Sequence, residues 1–265
     1  MYQTNLDPTN FVLKLKMDPE KQLILNLFET NVKGQDIDLS EFKGSHDGRE
    51  GHWLERRMGV KANSKNEPDL HGYEMKKSAD KISFGDWSAT EYLFSEKKEF
   101  LPQINMTRRE FINAFGTPNP KKGGRMSWSG ACCPRYVGDY NECGQKLQIT
   151  DDGSVVIYYS PDHDKRELKP VHGNGSFPIA YWSAASFGLK ITRKFSDKGF
   201  FLCKKVGDTF QKICFGKPIS KDFFLEQMRL GNIYFDSGMK DGERRPYSNW
   251  RASRGFWDTL ITEEY

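Results

Sequence analysis

Between residues 68 and 76 the chain reads Pro68-Asp69-Leu70-His71-Gly72-Tyr73-Glu74-Met75-Lys76. Two carboxylates and one amine at this spacing can act together. On an extended strand Glu74 and Lys76, two residues apart, project to the same face. Asp69 lies where a polar loop meets that strand, and a turn or bulge at Gly72 would bring it to that face as well. Neighbouring carboxylates repel, and a hard divalent cation relieves the repulsion. Mg2+ commonly takes one or two protein carboxylates and completes its shell with waters and phosphate oxygens. Such an ion acidifies a bound water and neutralises charge on a phosphate. Lys76 would hold that water and stabilise developing negative charge. Together these are the requirements for hydrolysing a phosphodiester. A strand whose solvent face reads Glu-x-Lys is common in any protein, so the Pro-Asp at this offset is what gives the pattern weight. His71 falls inside the motif, but its side chain is expected to point away from the Glu74/Lys76 face.

The elements that must position these residues are partly legible. Residues 70–76 alternate Tyr73 and Met75 against Glu74 and Lys76, which predicts a strand. Residues 81–87 suggest a second strand that could pair with it as a hairpin. The polar run 61–68, with Asn63, Ser64, Asn66 and Pro68, predicts a loop. Upstream, Trp53, Leu54 and Met58 recur at helical spacing before Gly59, so a short helix carries Glu55. An exposed glutamate paired with Arg56 or Arg57 is the plainer reading of that residue.

The opening to residue 45 mixes apolar stretches (11–15 and 23–28) with polar ones, consistent with a strand followed by a helix or loop. Thr107 caps a predicted helix through Phe115, ended by Gly116 and Pro118. Residues 119–144, rich in Gly, Pro and basic side chains, read as an extended loop. Residues 146–150 and 154–160 flank Asp151-Asp152-Gly153, a hairpin signal. A helix over 181–194, strands over 200–205 and 210–215, a helix from Ser220 to Leu230 and a strand over 233–235 follow. A basic loop, a strand near 250–252 and a helix from Arg254 complete the chain. Strands and helices alternate without βαβ regularity, so the expected fold is α/β: a mixed β-sheet flanked by helices.

The 265 residues, 37% hydrophobic and 14% aromatic, can build one large core or a catalytic core with a smaller lobe. No apolar run approaches membrane-spanning length and the first thirty or so residues lack a signal-peptide pattern, so a soluble cytoplasmic protein is expected. A formal charge of +4, from 40 basic and 36 acidic residues, does not establish nucleic-acid binding. The distribution is more informative. Residues 106–126 carry Arg108, Arg109, Lys121, Lys122 and Arg125 against Glu110. Residues 240–254 carry Lys240, Arg244, Arg245, Arg251 and Arg254 against Asp241 and Glu243. Basic clusters interleaved with Trp, Tyr and Asn suit a polyphosphate surface, and two solvated loops would account for them equally well. The five cysteines are odd in number, which favours reduced thiols over a disulfide framework. Cys132, Cys133 and Cys143 lack the paired spacing and the well-placed His of a structural zinc site.

A resemblance sharpens this reading. Gly48-Arg49-Glu50-Gly51-His52-Trp53-Leu54-Glu55, then Gly59-Val60, Asn63 and Asp69-Leu70-x-Gly72-x-Glu74-x-Lys76, resembles the active-site block of the MvaI/BcnI restriction endonucleases, MutH-related members of the PD-(D/E)xK nuclease superfamily. The block spans roughly thirty residues. Residues 242–251, followed by a short helix, are similar to the family's C-terminal basic loop and strand.

The resemblance implies a PD-(D/E)xK endonuclease-like core with a second DNA-recognition lobe, gripping double-stranded DNA in a basic cleft. The catalytic lobe would fall near residues 40–130 and the recognition lobe near 145–265. It implies that Asp69 and Glu74 ligate Mg2+, for which Mn2+ can substitute, that Lys76 positions the water, and that Glu55 assists. Arg244, Arg245 and Arg251 become candidates for base edges, with Asn249 beside them, while Lys121, Lys122 and Arg125 suit phosphates. The implied activity is that of a type II restriction endonuclease acting on a short, CC/GG-containing site. It would act as a monomer, with a cognate DNA methyltransferase encoded nearby. A strand-nicking repair endonuclease, a non-cleaving DNA-binding protein with a degenerate site, and an RNA-directed protein are the alternatives.

Overall fold

Strand partners are set by which backbone edges the side-chain pattern buries, and here they gather the strands into three sheets. A computed structural model describes residues 17–42, 48–61, 65–170, 175–195 and 197–265. The stretch 11–15 and Asn63 lie outside them. The described chain opens with helices α1 (Pro19–Asn31) and α2 (Arg49–Arg57), then strands β1 (Glu74–Lys77), β2 (Lys81–Asp86) and β3 (Glu91–Tyr92). Helix α3 (Arg108–Phe115) leads to β4 (Thr117–Asn119), β5 (Arg125–Trp128), β6 (Cys143–Ile149), β7 (Val155–Asp164) and β8 (Phe177–Trp182). Helix α4 (Ala184–Phe195) precedes β9 (Phe200–Val206), β10 (Thr209–Gly216) and α5 (Lys221–Arg229). Strands β11 (Ile233–Lys240) and β12 (Ser248–Ser253), helix α6 (Arg254–Thr259) and β13 (Ile261–Glu264) follow.

The first sheet has the order β1-β9-β10-β13, the second β2-β12-β11-β5-β4 and the third β3-β8-β7-β6. In the first, β1 runs parallel to β9, with Glu74 opposite Phe200 and Lys76 opposite Leu202. Its odd face carries Met75, which packs with Tyr73, Phe201, Phe210 and Phe215 against Trp53, Leu54 and Met58 of the α2 region. Burying a side chain of this size contributes about 1.5–3 kcal/mol, so this face holds α2 in place. The even face carries Glu74 and Lys76 and meets α4 instead.

In the second sheet Phe84, Phe235 and Trp250 turn a fully buried face to the larger core. Tyr234, Asp236, Asn249 and Arg251 occupy the other face: Tyr234 pairs with Arg251 and Asp236 with Asn249. The two basic clusters of the sequence meet here. Met239 and Lys240 pair with Trp128 and Ser127, and the Asp241 N–H donates to the Met126 carbonyl at 3.0 Å. Arg108 of α3 donates to the carbonyls of Glu243 and Arg244. The capping box of Thr107 and Glu110 fixes the start of α3.

Several expectations are corrected. Strands β1 and β2 do not form a hairpin: the edge of β1 is taken by β9, and the Ser78 N–H still donates to Cys203 O, so β2 crosses to pair with β12. Residues 119–144 are not one extended loop, because β4 and β5 pair within and beside them. The helix expected from Tyr181 begins at Ala184. Tyr181 and Trp182 are strand residues paired with Val156 and Val155, and the Ser183 hydroxyl accepts from the Ser186 N–H as the cap. The stretch 23–28 lies inside α1, in keeping with the helix expected after the opening stretch. Strand β13 was not anticipated. The first sheet draws on residues 74–77, 200–216 and 261–264. All five cysteines are buried and free.

Candidate functional site

The turn before β1 is what lets a sequence motif become a three-dimensional cluster. His71 and Gly72 both have positive φ, 50° and 83°, and the Leu70 and Tyr73 backbones exchange hydrogen bonds of 3.0 and 2.9 Å across them. The positive φ at Gly72 is what calls for glycine there; a Cβ would also meet Asp197 Oδ2 at 2.6 Å, the end of an exposed side chain that can swing away. The reversal folds Asp69 back beside the strand, where its Oδ2 accepts from the Met75 N–H at 3.0 Å. The loop before it is tied to α4. Asn66 Nδ2 donates to the Lys190 carbonyl at 2.6 Å, and Asn66 Oδ1 accepts from Trp87 Nε1 at 2.8 Å. Below, Tyr73 donates to Asp18 at the cap of α1, which also receives Lys198.

Glu74 is 2% exposed. Its Oε1 receives two ammonium groups: Lys76 at 2.6 Å and Lys194, from the last turn of α4, at 3.0 Å. Its Oε2 is buried and has no hydrogen-bond partner among the described residues. Burial pushes the Glu74 carboxyl above the usual carboxylate range; the two ammoniums draw it back, and the charge of Asp69 adds to the rise. Lys76 is itself largely covered, with its Nζ 5.8 Å from the Phe195 ring centre.

A buried carboxylate oxygen without a donor carries a penalty of about 1–3 kcal/mol or more unless something fills the gap. Among the described residues no group of three His, Cys, Asp or Glu side chains is placed to hold a metal. Mg2+ does not require three, since waters and substrate oxygens complete its shell. Asp69 and the open oxygen of Glu74 are the carboxylate donors that such an ion could use.

The other expected residues are placed differently. Glu55 lies on α2, which packs on the Met75 side of β1, and its carboxylate is 43% exposed with His52 Nδ1 at 3.2 Å. No hydrogen bond or ion pair joins it to Asp69, Glu74 or Lys76 among the described residues. The carboxylate of α2 that reaches β1 is that of Glu50, held by Lys77 at 2.9 Å and Lys205 at 3.2 Å on the opposite face from Lys76.

Arg251 and Asn249 stand on the polar face of the second sheet. Arg251 Nε is 3.4 Å from Asp236, which Arg135 also approaches at 3.9 Å. Asn249 Oδ1 accepts from Ser83 Oγ at 3.3 Å. Arg245 is bound to Asp86 at 2.6 Å and stacks over Tyr247, and Arg244 is exposed. Lys121 and Lys122 are exposed on a short turn capped by Asn119, with Arg125 half-buried nearby. Neither Lys194 nor Arg135 was singled out from the sequence: each comes from a distant segment whose only local signal is a basic residue beside an aromatic or apolar run.

Known proteins are similar to nearly the whole chain. The sequence model of the LlaMI restriction endonuclease family matches residues 32–265. The type II restriction enzyme ScrFI of Lactococcus lactis subsp. cremoris is 40% identical over 270 residues, covering 93% of this chain and 99% of its own. In three dimensions the chain is similar to the restriction endonuclease MvaI in complex with its cognate DNA substrate. The TM-score is 0.59 at 13% identity, over 92% of this chain and 95% of that one. The likeness identifies the fold as the PD-(D/E)xK type, a mixed α/β arrangement of several sheets flanked by helices.

Proposed function

We infer that this chain, which belongs to the LlaMI restriction endonuclease family, hydrolyses phosphodiester bonds at specific sites in double-stranded DNA with Mg2+. The observation that carries the reading is Glu74: a buried carboxylate with two ammoniums on one oxygen, nothing on the other, and Asp69 folded in beside it. In this reading Asp69 and the open oxygen of Glu74 hold the ion, which supplies an acidified water and neutralises the phosphate. Lys76 moves from Glu74 to the attacking water and balances the charge that develops on the phosphate. Glu55 is given no direct contact with the reacting atoms, since its carboxylate faces solvent beside His52.

The paired basic segments around β5, β11 and β12 form the proposed DNA surface. Arg251, Asn249, Arg244 and Arg245 serve base edges, and Lys121, Lys122 and Arg125 serve phosphates. A short CC/GG-containing site, action as a monomer in the cytoplasm, and a methyltransferase encoded alongside belong to the same proposal. Among the described residues no helix is long and apolar enough to cross a membrane.

Digestion of a sequenced supercoiled plasmid tests it. Discrete fragments are expected with Mg2+ or Mn2+ and none with EDTA. Lys76→Ala is expected to slow cleavage on the order of 10²–10³-fold while DNA binding is retained. Cleavage by Lys76→Ala at the parent rate would remove the assignment. Open circles that accumulate and persist would mark a strand-nicking enzyme instead.

A further inference from the structure

A buried carboxylate normally needs one counter-ion, and Glu74 has two. Lys76 comes from its own strand, at 2.6 Å, and Lys194 from α4, at 3.0 Å, both on Oε1. We propose that Lys194 is the standing counter-ion of Glu74, a positioning residue whose presence lets Lys76 leave the carboxylate and hold the attacking water. The proposal rests on the nuclease reading above and assigns a division of labour between two like-charged groups.

The two amines differ in how they are mounted. Lys194 stands in the last turn of a helix seated at both ends. The Ser183 hydroxyl caps its start. Phe195, fully buried, packs edge-on against Phe84 at 5.8 Å and near Trp257 at 6.3 Å, and its carbonyl accepts from the Ile219 N–H at 3.2 Å. Asn66 and Lys190 bind the helix to the loop that carries Asp69. The Lys194 side chain is 16% exposed and that of Lys76 12%, so the two are covered alike and differ in the element that carries them. Lys76 instead belongs to the short strand whose end leads out of the sheet at Ser78.

Electrostatics then separates the roles. An ionised carboxylate at 2% exposure, stripped of its only cation, carries a penalty of several kcal/mol. Were Lys76 the only amine on Glu74, moving it to a water would leave the carboxylate to the bound ion alone, whose charge Asp69 and the phosphate also share. With Lys194 fixed on Oε1, Glu74 stays compensated, Oε2 stays open, and Lys76 can exchange one oxygen partner for another at little cost. Lys194 needs no contact with DNA or water for this.

The test uses Lys194→Gln and Lys194→Arg in the full chain. Single-turnover cleavage is measured at saturating Mg2+, DNA affinity without the activating ion, and Mn2+ binding to the DNA-free protein by electron paramagnetic resonance. Lys194→Gln is expected to slow cleavage about 10–100-fold, the range for residues that orient a metal-site ligand, with DNA affinity kept within about threefold. Its Mn2+ binding should be no weaker than the parent's, because the change removes a positive charge. Lys194→Arg should restore most of the rate.

Parent-like cleavage by Lys194→Gln, an Arg variant as slow as the Gln variant, or Mn2+ binding lost along with the rate would each overturn the proposal. If Lys194→Gln does not fold, Lys194→Met replaces it under the same criteria. Should neither neutral variant fold, the Arg variant decides by whether it cleaves at close to the parent rate. Asp69→Asn and Glu74→Gln separate the two levels. If both keep parent Mn2+ binding and cleavage, the metal site itself is misassigned, whatever Lys194 does.

Discussion

Glu74 and Asp164 are each 2% exposed, and they are buried in opposite ways. Asp164 ends β7 with every lone pair engaged. Oδ2 accepts from Tyr159 at 2.8 Å and from Arg166 at 2.7 Å, and Oδ1 accepts from the backbone N–H and Nε of the same arginine. Burial pushes its carboxyl up, but these bonds outweigh it and hold the group below the usual carboxylate value. Glu74 has one crowded oxygen and one vacant one, and burial leaves its carboxyl above that value. A saturated buried carboxylate is architecture. An unsaturated one, with two amines crowded on a single oxygen, leaves a cost that the proposed cation would relieve.

The sharpest way to break the contrast is at the saturated end. Arg166 also donates to the carbonyls of Ala114 and Gly116, joining β7 to the end of α3. Asp164→Asn leaves that half-buried guanidinium without its anion and is expected to cost about 3–5 kcal/mol. The sign of the pH dependence follows from the depressed value in the folded protein. The contribution of Asp164 is complete above the ordinary carboxylate range and is lost as pH falls through the lower folded value. Urea unfolding of parent and variant should therefore differ most at neutral pH and begin to converge only as pH falls below about 4. Equal stability at pH 7 would show that saturation contributes nothing here.

How much of this contrast could be read without coordinates depends on the range of the interaction. The Glu74/Lys76 pair and the Gly72 turn follow from a two-residue strand period and a local φ requirement, so both were legible. Asp69 reached the strand for the same reason. The hairpin expected from β1 and β2 failed because the alternation of Ile82 and Phe84 says that a strand exists, not which edge it joins. The partners chosen, β9 and β12, lie more than 100 residues away along the chain. Lys194 was read as the end of a helix with no indication of what that helix covers. Asp164 and Arg166 drew no attention at all, because a saturated ion pair looks like any two polar residues near a hairpin.

Asp236 is the intermediate case, and it shifts the comparison from chemistry to recognition. It is 18% exposed on the polar face of the second sheet, with Arg251 at 3.4 Å and Arg135 at 3.9 Å, both without hydrogen-bond geometry at Nε. Pairs this loose leave guanidinium donors to spare for an incoming base. Arg251→Ala is expected to weaken binding to the recognised duplex by about 1–3 kcal/mol and to relax sequence preference. Lys121→Ala, on an exposed turn, should weaken all duplexes alike and lower the salt slope by about one. Anisotropy titrations with site-containing and site-free duplexes at several salt concentrations distinguish the two. Uniform loss in both variants would reduce Arg251 to a phosphate contact.

The smallest effect is expected at Glu55, where the family resemblance and the geometry point different ways. The resemblance makes it an active-site helper. The structure puts it on the helix that covers the Met75 side of β1, 43% exposed, with His52 Nδ1 beside it at 3.2 Å. A part-exposed carboxylate with no hydrogen bond or ion pair to Asp69, Glu74 or Lys76 has little to lose on truncation, since exposed pairs contribute at most about 1 kcal/mol. Glu55→Ala should accordingly slow single-turnover cleavage less than about tenfold, under about 1.4 kcal/mol of barrier, with metal dependence unchanged. A loss approaching that of Lys76→Ala would mean that α2 shifts on binding DNA to carry Glu55 around the edge of the sheet. Metal binding would then be completed by three carboxylates, one of them delivered only with substrate.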